Sequence, residues 1–249
     1  MGKKLGAIFF DAGNTLVFPL FGKLVDRMAS LGYPVTAEEF FKAERIGKQS
    51  LDEWLWPQIR TNQFPQDADH YYWAAYLREL VQIAGVPAEL RAEVAGEIAR
   101  VFMQIETWSD VPEGTSETLV ALHAKGYKLG VISNSLGKMR QQLDQVGLAS
   151  HFDFILDSAV VGVEKPDPRI FAMALNHAMI DADETVFIGD LHSTDVGGCG
   201  AAGIRGILMD RVGAYPDAEC PRITALTSLV NLVAQLDSQM AIPAGLNQD

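Results

Sequence analysis

The sequence predicts an α/β fold, a doubly wound (Rossmann-like) parallel sheet core with an all-helical segment inserted after its first strand. Three observations carry this reading. A short apolar run at residues 5–10 (LGAIFF) stops at the polar, turn-rich cluster Asp11-Ala12-Gly13-Asn14-Thr15, as a buried strand does. From Val111 onward, strand-like and helix-like segments alternate, the pattern of parallel βα units. Between the two, residues 18–107 show helical spacing, many aromatic residues and few β-branched runs.

In the inserted stretch, helices are expected over 22–31, 36–47, 49–56 and 68–84. A further helix opens at Pro87-Ala88-Glu89-Leu90 and runs to about Ile105. Thr36 followed by Glu39 has the spacing of a capping box. The later half reads as helix 114–125, strand 128–132 (KLGVI), the turn Ser133-Asn134-Ser135, and helix 137–146 ending at Gly147. Strand 153–157, the loop carrying Glu164-Lys165-Pro166, helix 167–178, strand 185–188 and Gly189-Asp190 follow. Helix 194–202, strand 205–209 and a last helix over about 224–236 complete it, with a loose tail at 238–249. The chain thus divides into a discontinuous core, 1–17 and 108–249, and a helical unit at 18–107 that hangs over the carboxyl ends of the strands. At least five parallel strands are expected. No internal repeat or low-complexity segment interrupts this plan.

Composition narrows the function. A hydrophobic fraction of 48% with 21% charged residues is that of a folded domain, not a disordered chain. The formal net charge of -12 repels nucleic acid and anionic membranes, so neither is an expected partner. The densest basic pair is Lys3-Lys4. An anionic substrate would need a local metal ion and a few placed cations. Two cysteines, Cys199 and Cys220, are too few for a disulfide framework, and no stretch reaches membrane-spanning length. The start, Met1-Gly2-Lys3-Lys4, lacks the features of a signal peptide or a myristoylation site. A cytoplasmic protein, monomeric or homodimeric, is the expectation.

Four loops at four strand ends carry chemistry-bearing side chains. They are Asp11 and Thr15; Ser133 and Asn134; Lys165; and Asp190 and Asp195. In a parallel sheet these loops open on one edge, where ligands bind. Carboxylates brought together repel one another and call for a divalent cation, and an all-oxygen set points to Mg²⁺ before Zn²⁺. Lys165 and the hydroxyl and amide groups suit phosphoryl oxygens. Asp11 is placed to act as a nucleophile. Taken singly, each loop has a plainer reading as turn, helix cap or solvated cation. The four in order favour the site.

Phe9-Phe10-Asp11-Ala12-Gly13-Asn14-Thr15-Leu16-Val17 resembles the first motif of the haloacid-dehalogenase superfamily. Val131-Ile132-Ser133-Asn134 is similar to its second, Glu164-Lys165-Pro166-Asp167-Pro168 to its third, and Ile188-Gly189-Asp190-Leu191-His192-Ser193-Thr194-Asp195 to its fourth. Residues 18–107 fall where that family carries a helical (C1-type) cap. The resemblance implies a Mg²⁺-dependent phosphatase acting on a small phosphorylated metabolite through an aspartyl-phosphate on Asp11. It implies metal ligation by Asp11, the Gly13 carbonyl, Asp190 and Asp195. Thr15, Ser133 and the Asn134 amide would hold the phosphoryl group, and Lys165 would neutralise charge.

One position departs from the pattern. Most phosphatases of the family carry a second Asp two residues after the nucleophile, to protonate the leaving group; here that residue is Gly13. General acid–base help is worth roughly 10²–10⁴-fold in rate. The alternatives are a phosphonate hydrolase using a Schiff base on a cap lysine (Lys42 or Lys48), a 2-haloacid dehalogenase, or a non-catalytic binding protein. Replacement of the acid by Glu44 or His192 is a further option. Elsewhere the plainer readings prevail: Arg45-Ile46-Gly47-Lys48 as surface-helix cations, His192 as a loop residue, Cys199 as a small packing residue. The aromatic cluster Trp54, Trp56, Tyr71, Tyr72, Trp73 and Tyr76 reads as the interior of the helical unit or its interface with the core.

Overall fold

The structure, a computed structural model, describes residues 4–240. The readings made on Met1–Lys3 and beyond Met240 lie outside these residues. Strand β1 (Ala7–Phe10) enters the sheet, and the chain then leaves it for a helical insert. Helices α1 (Phe21–Ser30), α2 (Ala37–Arg60), α3 (Ala68–Ile83) and α4 (Arg91–Phe102) make up that insert. The chain returns through α5 (Thr115–Ala124), β2 (Lys128–Ser133), α6 (Met139–Gln145) and β3 (Phe154–Asp157). The short α7 (Ser158–Val161), α8 (Pro168–Ala178), β4 (Thr185–Gly189), α9 (Gly198–Ala201), β5 (Arg205–Met209), β6 (Arg222–Ile223) and α10 (Leu229–Met240) follow.

The six strands lie in the order β3-β2-β1-β4-β5-β6, every pair parallel. This is the doubly wound sheet that the alternation predicts. β1 sits centrally, with Phe10 level with Val131 on one side and Ile188 on the other. The alternating side chains of β1 feed two apolar layers. Ile8 and Phe10 join Leu129, Val131, Val186 and Ile188 on one face. Ala7 and Phe9 join Phe171, Phe187 and Ala174 on the other. Burial on both faces explains why these strands read as continuous apolar runs.

The insert has its own apolar interior, built on Leu24, Phe40, Leu51, Leu55, Tyr72, Tyr76, Leu80 and Ile98. Most of the aromatic cluster lies here or against it; Trp54 stacks on Tyr71 with ring centroids 4.5 Å apart. The capping box at Thr36 is present. Glu39 N–H donates to Thr36 Oγ1 at 3.3 Å, and Thr36 N–H donates to Glu39 Oε2 at 2.7 Å.

Several element boundaries differ from expectation, among them that of the helix expected from Pro87 to about Ile105, which runs from Arg91 to Phe102. The helices expected at 36–47 and 49–56 are the single helix α2, because Gly47 is a contact residue and not a breaker. A Cβ there would lie 3.0 Å from Tyr76 Cα, so the glycine lets α2 and α3 touch backbone to backbone. The last helix begins at Leu229 rather than near 224 and runs to Met240, so residues 238–240 belong to it and not to a loose tail. Leu229, Val233 and Leu236 bury into the sheet layer and carry it that far. The helix expected from 194 opens instead as one π-helical turn, His192–Gly197, ahead of α9.

Candidate active site

The strand ends deliver their side chains to one edge, as parallel topology requires. Asp11 continues β1, its N–H donating to the Ile188 carbonyl at 2.7 Å. The loop then tightens: the Ala12 carbonyl accepts from the amides of Leu16 and Val17, and Asn14 adopts φ 53, a left-handed conformation that asparagine tolerates. The Gly13 carbonyl accepts no backbone amide among the described residues. Thr15 is buried and its Oγ1 has no partner there. A buried hydroxyl left unpaired is costly, which marks a place where a bound group would be held.

Carboxylate oxygens of Asp11, Asp190 and Asp195 converge to within 4.8 Å of one another, all three residues buried. Gly189 makes this approach possible: a Cβ on it would lie 2.3 Å from Asp195 Oδ2. Asp195 Oδ2 instead accepts the Leu191 amide at 2.9 Å, which fixes its rotamer. Lys165 Nζ lies between two of the three, 2.6 Å from Asp11 Oδ1 and 2.8 Å from Asp195 Oδ1. Ser133 is buried at the end of β2, in register with Asp157 on β3.

The Lys165 loop is braced from below. Lys165 N–H donates to Asn134 Oδ1 at 2.8 Å, and Asn134 Nδ2 donates to the Lys165 carbonyl at 2.9 Å. The Asn134 side chain therefore fixes the lysine, a part its motif position alone does not announce. Asp167 caps α8 by accepting from Arg169 N–H at 2.9 Å.

The insert closes this edge and adds charges of its own. Lys48, expected as a surface cation, is 1% exposed. Its ammonium lies 2.9 Å from Asp190 Oδ2 and 2.8 Å from Glu44 Oε1, one turn earlier on α2. Lys42, by contrast, is exposed. Asp69 on α3 accepts from Asn134 Nδ2 at 3.1 Å. Asp52 on α2 pins the β4 loop, accepting from Ser193 N–H at 3.0 Å with His192 Nδ1 at 2.9 Å. His192 is thus a contact between insert and core, packed beside Trp56. Cys199 is buried and its thiol meets the Val196 and Ile204 carbonyls, a packing residue as expected.

Burial sets the electrostatics. It raises the Asp11 carboxyl well above the usual range, opposed by Lys165 and reinforced by Asp195 and Asp190. It raises Asp190 to about 6, with Lys48 opposing and Asp195 adding to the rise. For Lys48 and Lys165 burial disfavours the ammonium, but the carboxylates on each outweigh it and hold both pKa values above the ordinary lysine value. Asp69 is raised to about 7, chiefly by burial. Asp11, Asp190 and Asp195, with Glu44 and Asp69 beside them, are five acidic groups around two lysines, and such crowding would suit a divalent cation, which would relieve the repulsion. The all-oxygen donors fit a hard ion such as Mg²⁺.

A discontinuous parallel sheet with carboxylates and a lysine at its carboxyl edge and a helical insert above them defines a class of α/β hydrolases. A model of the family described as "Hydrolase: haloacid dehalogenase-like hydrolase" matches residues 5–203, and the chain belongs to that family. It is 34% identical over 172 residues to haloacid dehalogenase-like hydrolase domain-containing protein 3 of Bos taurus, covering 68% of each chain. It is 32% identical over 182 residues to a phosphoserine phosphatase of Thermus thermophilus, covering 70% of this chain and 69% of that one. Among solved structures, a 2-haloacid dehalogenase from Pseudomonas syringae superposes with TM-score 0.54 at 27% identity, covering 93% of this chain and 99% of that one. A HAD phosphatase from Thermococcus onnurineus superposes with TM-score 0.55 at 19% identity, covering 92% and 98%.

Proposed function

We infer that the protein is a Mg²⁺-dependent phosphohydrolase acting on a small phosphorylated metabolite through a covalent intermediate on Asp11. The observation that carries this is the convergence of Asp11, Asp190 and Asp195 around Lys165, beside the unpartnered hydroxyl of Thr15. Relatives named as phosphatases support the substrate class. Residues 18–107 act as a cap over a core of 1–17 and 108–249.

In this reading Asp11, the Gly13 carbonyl, Asp190 and Asp195 hold the metal, which supplies charge neutralisation to the phosphoryl group. Asp11 attacks phosphorus. Lys165 offsets charge on Asp11 and on the phosphoryl oxygens, and Thr15, Ser133 and the Asn134 amide donate to those oxygens. Water then attacks the Asp11 phosphoryl group while the closed cap excludes bulk solvent. The acidic surface argues against nucleic acid or a membrane as partner. No helix among the described residues is long and apolar enough to cross a membrane, and both cysteines are free. A cytoplasmic monomer or homodimer is the simplest state. The test is hydrolysis of p-nitrophenyl phosphate and acetyl phosphate with and without Mg²⁺; metal-independent turnover, or none, contradicts the reading.

A second reading, C–P bond cleavage through a Schiff base, gains from the burial of Lys48 at the site. Against it, Glu44 and Asp190 favour the ammonium form of that lysine, which is not nucleophilic. Borohydride inactivation in the presence of a phosphonoaldehyde would decide for it.

A further inference from the structure

At position 13 the family pattern places a leaving-group acid, and here an aromatic ring stands over the glycine. A Cβ on Gly13 would meet Trp108 Cζ3 at 3.4 Å, Cη2 at 3.7 Å and Cε3 at 3.9 Å. A methyl group would just fit. A carboxyl group, one bond further out, would run into the benzo edge of the indole in any rotamer that points toward the ring. The ring is fixed. Its Nε1–H donates to the Phe102 carbonyl at 2.7 Å, and the Trp108 amide donates to the Ile105 carbonyl at 3.0 Å. Trp73 meets it edge-on at 6.1 Å, and Phe102 lies at 6.1 Å. Moving it would break a hydrogen bond and open the apolar interior of the insert. The side chains nearby that could replace the acid are engaged elsewhere, Glu44 with Lys48, His192 with Asp52 and Asp69 with Asn134.

Building on the phosphotransfer reading, we propose that Trp108 is a specificity-determining residue. It fills the acid's place with an apolar edge, so the leaving group departs unprotonated. The site is therefore selective for phosphoryl donors with stable leaving anions, acyl phosphates foremost, over alkyl phosphate esters. Asp11 Oδ forms a bond to phosphorus while the bond from phosphorus to the leaving oxygen breaks, and that oxygen keeps the electron pair as a carboxylate. Water then forms a new P–O bond, the P–O bond to Asp11 breaks, and the water's proton passes to the released phosphate or to solvent. The sum is acyl phosphate plus water giving carboxylate, phosphate and a proton. A carboxylic acid has a pKa of about 4. An alkoxide is about as basic as hydroxide, whose conjugate acid has a pKa of about 15.7. Only the first leaves readily without help.

The test is kcat/KM with Mg²⁺ across acetyl phosphate, a series of substituted aryl phosphates and glycerol phosphate. A steep fall with leaving-group pKa is expected, with glycerol phosphate about 10²–10⁴-fold below the value that an acid-assisted site would give. In Gly13→Asp the ratio of glycerol phosphate to acetyl phosphate turnover stays low. In Gly13→Asp/Trp108→Leu, which keeps an apolar side chain but frees the space over position 13 and whose folding is checked by thermal melting, that ratio rises at least about tenfold. A shallow dependence in the unmodified protein overturns the proposal, and steepening of that slope by Asp69→Asn or Glu44→Gln would identify the donor. No turnover of any compound removes the phosphotransfer reading itself, whereas turnover with a shallow slope removes only this inference.

Discussion

The ammonium of Lys48, carried on helix α2 of the insert, lies 2.9 Å from Asp190 Oδ2 at the carboxyl end of β4. That contact ties the helical unit to the sheet edge, and Glu44, on the same helix, holds the ammonium at 2.8 Å. Removing one member of a buried ion pair leaves the others uncompensated, at about 3–5 kcal/mol. Lys48→Met should lose stability of that order in urea unfolding without Mg²⁺. Saturating Mg²⁺ should return part of it, because a cation bound at Asp190 takes over the compensation. An unchanged midpoint without metal would mean the pair carries no net stability.

Gly47 sets the position of that lysine. Its missing Cβ is what allows α2 to touch Tyr76 of α3. Gly47→Val would force the two helices apart, at about 1–3 kcal/mol. It should also weaken the closure of Lys48 on Asp190. Thermal melting checks the first effect, and the rate of proteolysis within residues 18–107 checks the second. A variant as stable and as resistant as the parent would show that the contact is slack.

Asn134 and Lys165 form a reciprocal pair through backbone and side chain. Lys165→Met removes the cation next to Asp11 and should lower kcat on p-nitrophenyl phosphate by about 10²–10³-fold. Asn134→Ala leaves the ammonium in place but frees its loop, and a misplacement of an ångström can cost about 10²-fold. The smaller loss should fall on kcat more than on KM. Equal losses in the two variants would mean that Asn134 does more than position the lysine.

These residues show what can be read from the chain and what cannot. That Asp11, Thr15, Ser133, Lys165, Asp190 and Asp195 would meet at one edge was legible because each ends or follows a strand, and parallel strands bring their carboxyl ends to one edge whatever lies between them. The sheet followed from the alternation of elements for the same reason. Lys48 was not legible as a site residue. In sequence, Arg45-Ile46-Gly47-Lys48 is an ordinary charged helical stretch, and only the contact of Gly47 with Tyr76 turns Lys48 inward. Asp69 and Asp52 depend likewise on how the insert docks. Trp108 reads as one more aromatic; which empty space it covers is decided by the path of the chain back from α4. A glycine where the family pattern has a carboxylate was the one signal that could have directed a search for its neighbour.

His192 gives the interface a pH dependence. Burial works against its charged form, but Asp52 and Cys220 together outweigh it and raise the imidazole from 6.5 to about 9. A folded-state pKa above the unfolded value means the contribution is complete below about pH 6.5 and is lost as pH rises through about 9. The unmodified protein should therefore lose stability relative to His192→Asn across that window, measured by urea unfolding at several pH values. Parallel curves for the two proteins would show that the imidazole does not gain a proton on folding.

The central claim is that Asp11 carries the phosphoryl group. The direct measurement is acid quench of the Mg²⁺-loaded protein during turnover of acetyl phosphate, followed by borohydride reduction and peptide mass spectrometry. Homoserine at position 11, absent when Mg²⁺ is omitted, is the predicted result, because borohydride reduces an acyl phosphate at that carboxyl. Steady turnover with Asp11 unmodified at every quench time, or with the label on another residue, would contradict the account.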